Sequence, residues 1–455
     1  MCNAFTRGYD GWLYACHGFN NQSRVSGSDG NEVQMNSGNT FRMKLDGSRI
    51  EHYTHGQVNP FGMSFDSAGD LFTADCHNKP VTLLMRGGYN PSFGAPHDGL
   101  GFVPPVMQHL HGSTAIGGIA IYEADQFPDA FHGNAFGGNV MTGRINRNEI
   151  VRSGGSVQAQ ELADFLISDD PWFRPVDLKV GPDGALYVAD FYNRIIGHYE
   201  VPLDHEGRDR YRGRIWKINY TGDERPGHPE PGIAHDSIDR LIAELGNTNR
   251  IRRMKAADRL VDHHGTSAID PVRDHFTNSD NATARIHSMW VLHRLDALKA
   301  GELRSALTHK EPLVRTHGFQ VLAEWTDEPL EEFSEWHVPA IKAGIGDPDG
   351  FVARSAAMAA SVHPHATLPD VLLRRLQRTG ESDPHLRHAL RLALRHQLRV
   401  PSVLAKVVAG KDDSLLREVV SVCLAIPESA AANFVLDHLT LVGSSGPEQY
   451  EAIEF

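Results

Sequence analysis

Two histidines alternate in the run Gln108-His109-Leu110-His111-Gly112-Ser113-Thr114. On an extended strand that spacing puts both imidazoles on one face, within reach of a shared metal ion. The competing reading is a pair of hydrogen-bonded loop histidines, and it applies equally to His17 and His77. Two other runs concentrate polar side chains in the same way. They are Thr54-His55-Gly56-Gln57-Val58-Asn59-Pro60-Phe61-Gly62 and Trp172-Phe173-Arg174-Pro175-Val176-Asp177. An Asn-Pro step before a strand also reads as a plain turn. Arg174 carries a planar guanidinium suited to gripping carboxylates or phosphates, with an ion pair between neighbouring sheets as the alternative. Each run precedes a strand by a similar distance, so all three are expected at one mouth.

The elements that must hold these residues announce themselves by repetition. Asp10-Gly11-Trp12-Leu13-Tyr14 returns as Gly69-Asp70-Leu71-Phe72-Thr73-Ala74-Asp75 and as Asp183-Gly184-Ala185-Leu186-Tyr187-Val188-Ala189-Asp190, with a weaker copy at Gly133-Asn134-Ala135-Phe136-Gly137-Gly138. Taking Leu13, Leu71, Phe136 and Leu186 as equivalent gives steps of 58, 65 and 50 residues. Such steps suit four-stranded propeller blades with long loops. The glycine of each turn tolerates positive φ, and the apolar residues after it suit a pleated strand. Four places beyond the marker stand His17, Asp75 and Asp190, which are therefore expected at similar heights near one channel mouth.

The 455 residues are too many for one core and predict two or three domains. With 40% hydrophobic and 22% charged residues the composition is that of a globular protein, and no stretch of 18 apolar residues is present to cross a membrane as a helix. A net charge of -13 argues against a general nucleic-acid binder, which needs clustered Lys and Arg. Cys2, Cys16, Cys76 and Cys423 form no CxxC pair and no haem-attachment motif, so they leave the redox compartment open. No charged-then-apolar leader is visible at the N-terminus. The chain opens with a strand phrase already under way, and the sequence is expected to be a fragment of a longer protein.

After Gly213-Arg214-Ile215-Trp216-Lys217-Ile218 and the Gly/Pro-rich stretch from Thr221 to Gly232, the hydrophobic period changes from two to 3.6. An Arg then recurs about four residues after an acidic residue or Asn: Asn249 to Arg253, Asn281 to Arg285, Glu311 to Arg315, Asp383 to Arg387 and Asp413 to Arg417, with Asp349 to Arg354 one longer. The spacing fits one antiparallel helix pair per repeat, resembling HEAT repeats. Glu311-Pro312 and Asp383-Pro384 read as helix starts. Ala356 to Ala360 allows close helix packing, while Gly443 to Phe455 supplies no capping helix. The predicted fold class is thus multidomain β + α: a six-bladed-type β-propeller, incomplete here, over 1-220, a linker over 221-234, and an α-solenoid over 235-455. The solenoid's histidines, such as His263, His264, His385 and His388, read as solvated faces.

Four segments of the first half, Gly56 to Asp75, Arg86 to Gly94, Ala115 to Arg147 and Arg174 to Asp190, resemble the soluble quinoprotein glucose/sorbosone dehydrogenase family. The likeness is greater to large membrane-bound dehydrogenase domain proteins, in which a propeller precedes HEAT repeats and often a cytochrome c-like module. The resemblance implies pyrroloquinoline quinone (PQQ) over the channel mouth, a calcium ion polarising it, and a histidine taking the alcohol proton while hydride passes to the quinone. By that resemblance Asn59, Ser113, Arg174 and Asp177 would contact the cofactor, and backbone carbonyls near His77 and Asn78 would hold calcium. His17 and Asp75 are the catalytic candidates, with His17 in the place of an acidic partner of the family's histidine. His55, Gln57, His109 and His111 are further candidates at the mouth.

Three departures stand against this pattern: Val58 replaces an Arg, Met141 a Lys and Phe61 a polar ligand. The expected function is therefore oxidation of a sugar or other alcohol in the periplasm or at a membrane, with electrons passed to a cytochrome c-type acceptor absent from this chain. The alternatives are a glycan- or protein-binding module whose solenoid docks a protein partner, and a metal-dependent hydrolase using His109 and His111.

Overall fold

The computed structural model describes residues 2–113, 115–196, 201–202, 204–222, 232, 236–325, 336–408 and 413–441. Most of the expected linker 221-234, and the C-terminal stretch after 441, lie outside them. The chain forms two compact units. One comprises Met1–Met85, Pro105–Val151 and Val157–Ala297, the other Arg86–Pro104, Arg152–Ser156 and Leu298–Phe455. Strands lead and helices follow. No helix among the described residues is long and apolar enough to cross a membrane.

The first unit is built from antiparallel sheets. β1 (Cys2–Arg7), β2 (Leu13–His17), β5 (Asn39–Met43) and β6 (Ile50–Gly56) are neighbours in one sheet, and β3 (Gln22–Ser26) pairs with β4 (Glu32–Asn36). A second sheet runs β7 (Pro60–Phe65), β8 (Leu71–Asp75), β9 (Thr82–Leu84). The short β10 (Tyr89–Asn90) belongs to the other unit. A third sheet orders β11 (Ile116–Ile121), β12 (Ala135–Asn139), β13 (Arg144–Ser153) and β14 (Ser156–Glu161), with β15 (Leu166–Ile167) on β13. The last contains β16 (Pro175–Val180), β17 (Leu186–Asp190) and β18 (Arg214–Ile218).

The recurring phrase forms the same hairpin each time. Gly11, Gly69 and Gly184 sit at φ +80°, +78° and +78°. Their N–H groups donate to the carbonyls of Gly8, Asp66 and Gly181, three residues back. A left-handed position closing a tight hairpin favours glycine. In the weaker copy Gly133 donates to Tyr122 O instead, so the residues between them are an insertion into the same turn. Apolar residues after each turn face inward: Tyr122, Phe136, Ile145, Leu178, Leu186 and Val188 share one core, and Ala15, Val33, Met35, Phe41 and Ile50 another. The register slips by a bulge at the same place in β1, β7, β11 and β16, beginning at Asn3, Pro60, Gly117 and Pro175.

Four helices, Ile238–Glu244, Arg250–Arg259, Ile269–Asn278 and Ala282–Arg294, complete this unit. Asn249 caps one by accepting from Ile251 N, and Asn281 another by accepting from Thr283 and Ala284 N. Arg250 pairs with Glu123 at 2.8 Å, both largely buried.

In the second unit Pro312–Glu324, Gly350–Val362 and Pro384–Leu398 pack side by side. Helices start at Pro312 and Pro384 as the sequence predicts, but neither Glu311 nor Asp383 caps through its side chain. Asp383 accepts instead from Gly155 N and Ser156 Oγ, at 2.8 and 2.6 Å. Small residues set the helix spacing: Ala356, Ala357 and Ala360 are fully buried, and a Cβ on Gly344 would meet the Phe319 ring at 2.2 Å. The recurring arginines tie down carbonyls at the end of the preceding helix or its loop. Arg315 Nη1 donates to His309 O and Lys310 O, and Arg387 Nη1 to Leu376 O and Thr379 O. His385 and His388, expected on solvated faces, are buried.

Candidate functional site

β1, β7, β11 and β16 start at one end of the first unit, side by side. Asn3 Nδ2 donates to Pro60 O at 3.2 Å. A Cβ on Gly62 would lie 2.6 Å from Gly118 Cα, and one on Gly118 would lie 2.6 Å from Asp177 Cα. Strands this close require glycine at both places, where φ is +103° and +72°.

Their partner strands finish at the same end. The pairs are Cys2↔His17, Pro60↔Asp75, Ile116↔Asn139 and Pro175↔Asp190. Sequence comparison aligns Phe136 with Leu71, whereas the register aligns Ala135 with it, through partners Ile121 and Phe65. The fourth polar strand end is therefore Asn139. Backbone bonds Cys76 N to Asn59 O, Val140 N to Ala115 O and Phe191 N to Arg174 O put Asn59, Ala115 and Arg174 in one row. Ser113 lies two residues ahead of that row.

The strand-end residues are engaged with the fold. Asp75 accepts from the N–H groups of Val58 and Asn59, both at 2.9 Å, and of His77 at 3.2 Å. Burial nevertheless pushes its carboxyl above the usual range. Asp190 accepts from Arg174 N and Tyr192 N, each at 2.8 Å, and from the Trp216 indole at 3.0 Å. His17 is buried, with Nδ1 2.6 Å from Ser37 O and Nε2 2.9 Å from Ser23 Oγ.

The residues of the row keep more freedom. Asn59 Oδ1 accepts from Phe19 N at 3.0 Å, and Ser113 Oγ from Ala115 N at 3.1 Å. Arg174 donates to the carbonyls of Phe173 and Arg194, while its Nε is buried without a partner among the described residues. Burial lowers its pKa. Asp177 accepts from Leu178 N and Lys179 Nζ. Gln57, buried at φ +71°, accepts from the Thr40 hydroxyl at 3.4 Å, and its Nε2 has no partner among the described residues. His55 stacks on His52 with ring centroids 4.6 Å apart. His77 is exposed and Asn78 half-buried beside it. Phe19, Phe61, Met141 and Phe191, all exposed, follow the same strand ends or open the same strands. A cleft of about 660 Å³ opens where β17 ends, lined among others by Asp190, Phe191, Arg208, Arg210 and Arg212.

A separate cluster lies beside β11. His109 Nε2 and His111 Nε2 each stand 3.0 Å from Asn148 Oδ1 on β13, and His111 Nδ1 stands 3.0 Å from Glu161 Oε1 at the end of β14. The histidine rings meet edge to face at 4.6 Å. Burial, and secondarily His109, lower the His111 pKa. Glu161 and Asn148 carry no sequence signal linking them to the histidines, because the sheet alone brings them there.

A family model described as a domain of unknown function (DUF7133) matches residues 1–222. No curated protein gives a significant match. Among solved structures, an oxidoreductase (glucose dehydrogenase) from Thermus thermophilus is 22% identical with a TM-score of 0.33 over 47% of this chain. Two further glucose dehydrogenase structures are 16% and 18% identical, with TM-scores of 0.30 and 0.32 and 49% of this chain covered by each. The chain spans 63%, 64% and 61% of the lengths of these three proteins.

Proposed function

We propose that residues 1-220 are the dehydrogenase-type domain of an oxidoreductase, and that a sugar or other alcohol binds where the first strands start. The observation that carries this reading is the row of Asn59, Ala115 and Arg174, with Ser113 just ahead of it, at one end of neighbouring strands. Exposed Phe19, Phe61 and Phe191 at that end offer apolar faces of the kind that line small-molecule sites. The arginines of the adjoining cleft suit a ligand bearing carboxylates.

PQQ is an anionic tricarboxylate, and the donors present fit such a group: Arg174 keeps a buried Nε with no partner among the described residues, and its other hydrogen bonds go to carbonyls rather than to a carboxylate. When bound, the quinone supplies the hydride acceptor. Arg174 would hold it by charge, Ser113 would donate its hydroxyl proton, and the Asn59 amide nitrogen would donate beside them. Carbonyls near His77 and Asn78 are the proposed calcium ligands. A cytochrome c-type acceptor and a periplasmic or membrane-associated setting complete the proposal and rest on the family resemblance.

One observation favours a second reading, a binding module without redox chemistry. Both ring nitrogens of His17 are hydrogen-bonded and Asp75 accepts three N–H groups, so both side chains are committed to the fold rather than held ready for a substrate. Reconstitution with PQQ and calcium separates the readings. Quinone absorbance retained after desalting, with dye reduction on a sugar panel, supports the dehydrogenase. Retention without reduction supports a binding module, and loss of both overturns the quinone site.

A further inference from the structure

We propose that His109, His111 and Glu161, backed by Asn148, form a binding site for a zinc-type divalent cation. One ring nitrogen from each histidine and one carboxylate oxygen lie within 4.8 Å of one another. Four-coordinate zinc with ligands at about 2.1 Å holds them about 3.4 Å apart, so the cluster needs only small side-chain rotations to close on an ion. Two imidazoles and a carboxylate form a ligand set that zinc accepts, and three protein ligands leave a position for water or a ligand oxygen.

The hydrogen-bond inventory points the same way. A neutral imidazole has one N–H and one lone pair. Both His111 nitrogens nevertheless face oxygens, those of Glu161 and Asn148, and His109 Nε2 faces the same Asn148 oxygen. A cation taken by one His111 nitrogen uses its lone pair and leaves the other nitrogen to carry the N–H to its oxygen neighbour.

The surroundings behave as a support for such a site. The His111 side chain is only 1% exposed, whereas that of Glu161 is 51% exposed and provides a path for the ion from solvent. His111 adopts φ +52°, unusual for a residue with a side chain, and its carbonyl accepts from Asn139 Nδ2 at 3.3 Å. Ser113 N closes the turn onto Leu110 O. Three separate elements thus aim at one point, held by a residue at a recurring strand end. This inference does not rest on the quinone proposal, and either can fail without the other.

The test uses the whole chain after chelator treatment. Titration with Co²⁺ is expected to give a tetrahedral ligand-field spectrum at one equivalent, abolished by Zn²⁺, and Zn²⁺ should raise the melting temperature. Glu161→Gln lies on the rim and should leave the melting temperature of the chelated protein unchanged while weakening Co²⁺ binding more than about tenfold. His109→Ala should remove the spectrum, and Asn148→Ala should weaken binding by about 10–100-fold. Equal Co²⁺ binding by wild type, Glu161→Gln and His109→Ala would overturn the site. So would displacement of Co²⁺ by equimolar Ca²⁺. Absence of any Co²⁺ spectrum would also overturn it, leaving a hydrogen-bonded trio in which the Asn148 amide is turned to donate.

Discussion

The strand ends and the histidine cluster use similar side chains for opposite purposes. Asp75 and Asp190 recur at one register of successive sheets, and each accepts three N–H groups of its own neighbourhood. His109, His111 and Glu161 recur nowhere, and they converge so that the single N–H of a neutral His111 has two oxygens to serve. Polar residues repeated with the fold build the fold, and those that break the repetition are the ones we propose to bind ligands. The helical part follows the same rule, because its recurring arginines close helix ends.

The largest test of this contrast is Asp75→Ala, which strands three backbone donors. Chemical denaturation should show a loss of about 3 kcal/mol or more. An unchanged midpoint would show that the strand-end carboxylates are not structural and return Asp75 to the catalytic candidates. Arg174, which shares its row with Asn59 and Ala115 but not its type with either, should behave differently. Arg174→Ala should cost only about 1 kcal/mol, for freeing the Phe173 and Arg194 carbonyls, and weaken PQQ retention about 10–100-fold, the range of one or two charge-assisted hydrogen bonds. A loss of stability with no change in retention would place Arg174 among the structural residues.

His388 sharpens the comparison from the helical side, as a buried polar group outside any repeated cap. Burial pushes its pKa down to about 3, with further lowering from the Arg391 charge, and burial likewise takes His396 to about 4. The unfolded chain therefore binds these protons first as the pH falls. Stability is fully present above about pH 6.5 and declines toward pH 3, by about 2 kcal/mol for His388 at pH 5. Urea melts of wild type at pH 7.5 and 5, compared with His388→Gln, should show the variant losing less on acidification. The smallest effect is expected from Arg387→Ala, which frees the carbonyls of Leu376 and Thr379 for about 1 kcal/mol.

The hairpin phrases were legible in the sequence because a left-handed glycine and alternating apolar residues are local requirements. Helix starts at Pro312 and Pro384 were legible for the same reason. The weak copy at Phe136 was misaligned by one residue, since an insertion between Tyr122 and Gly133 replaces the short turn that marks the others. That slip hid Asn139. His385 and His388 were misread as exposed because helical spacing does not say which face a neighbouring helix covers.

The sequence by itself determined the order of strands then helices, the turn positions and the helix starts at Pro312 and Pro384, all set by forces acting within a few residues. Only the tertiary structure decided what the polar residues do. Whether Asp75 is a free carboxylate or an acceptor for three N–H groups, and whether His109 and His111 meet Glu161, depends on strand register and sheet packing. Those bring together groups whose separation along the chain carries no chemical mark.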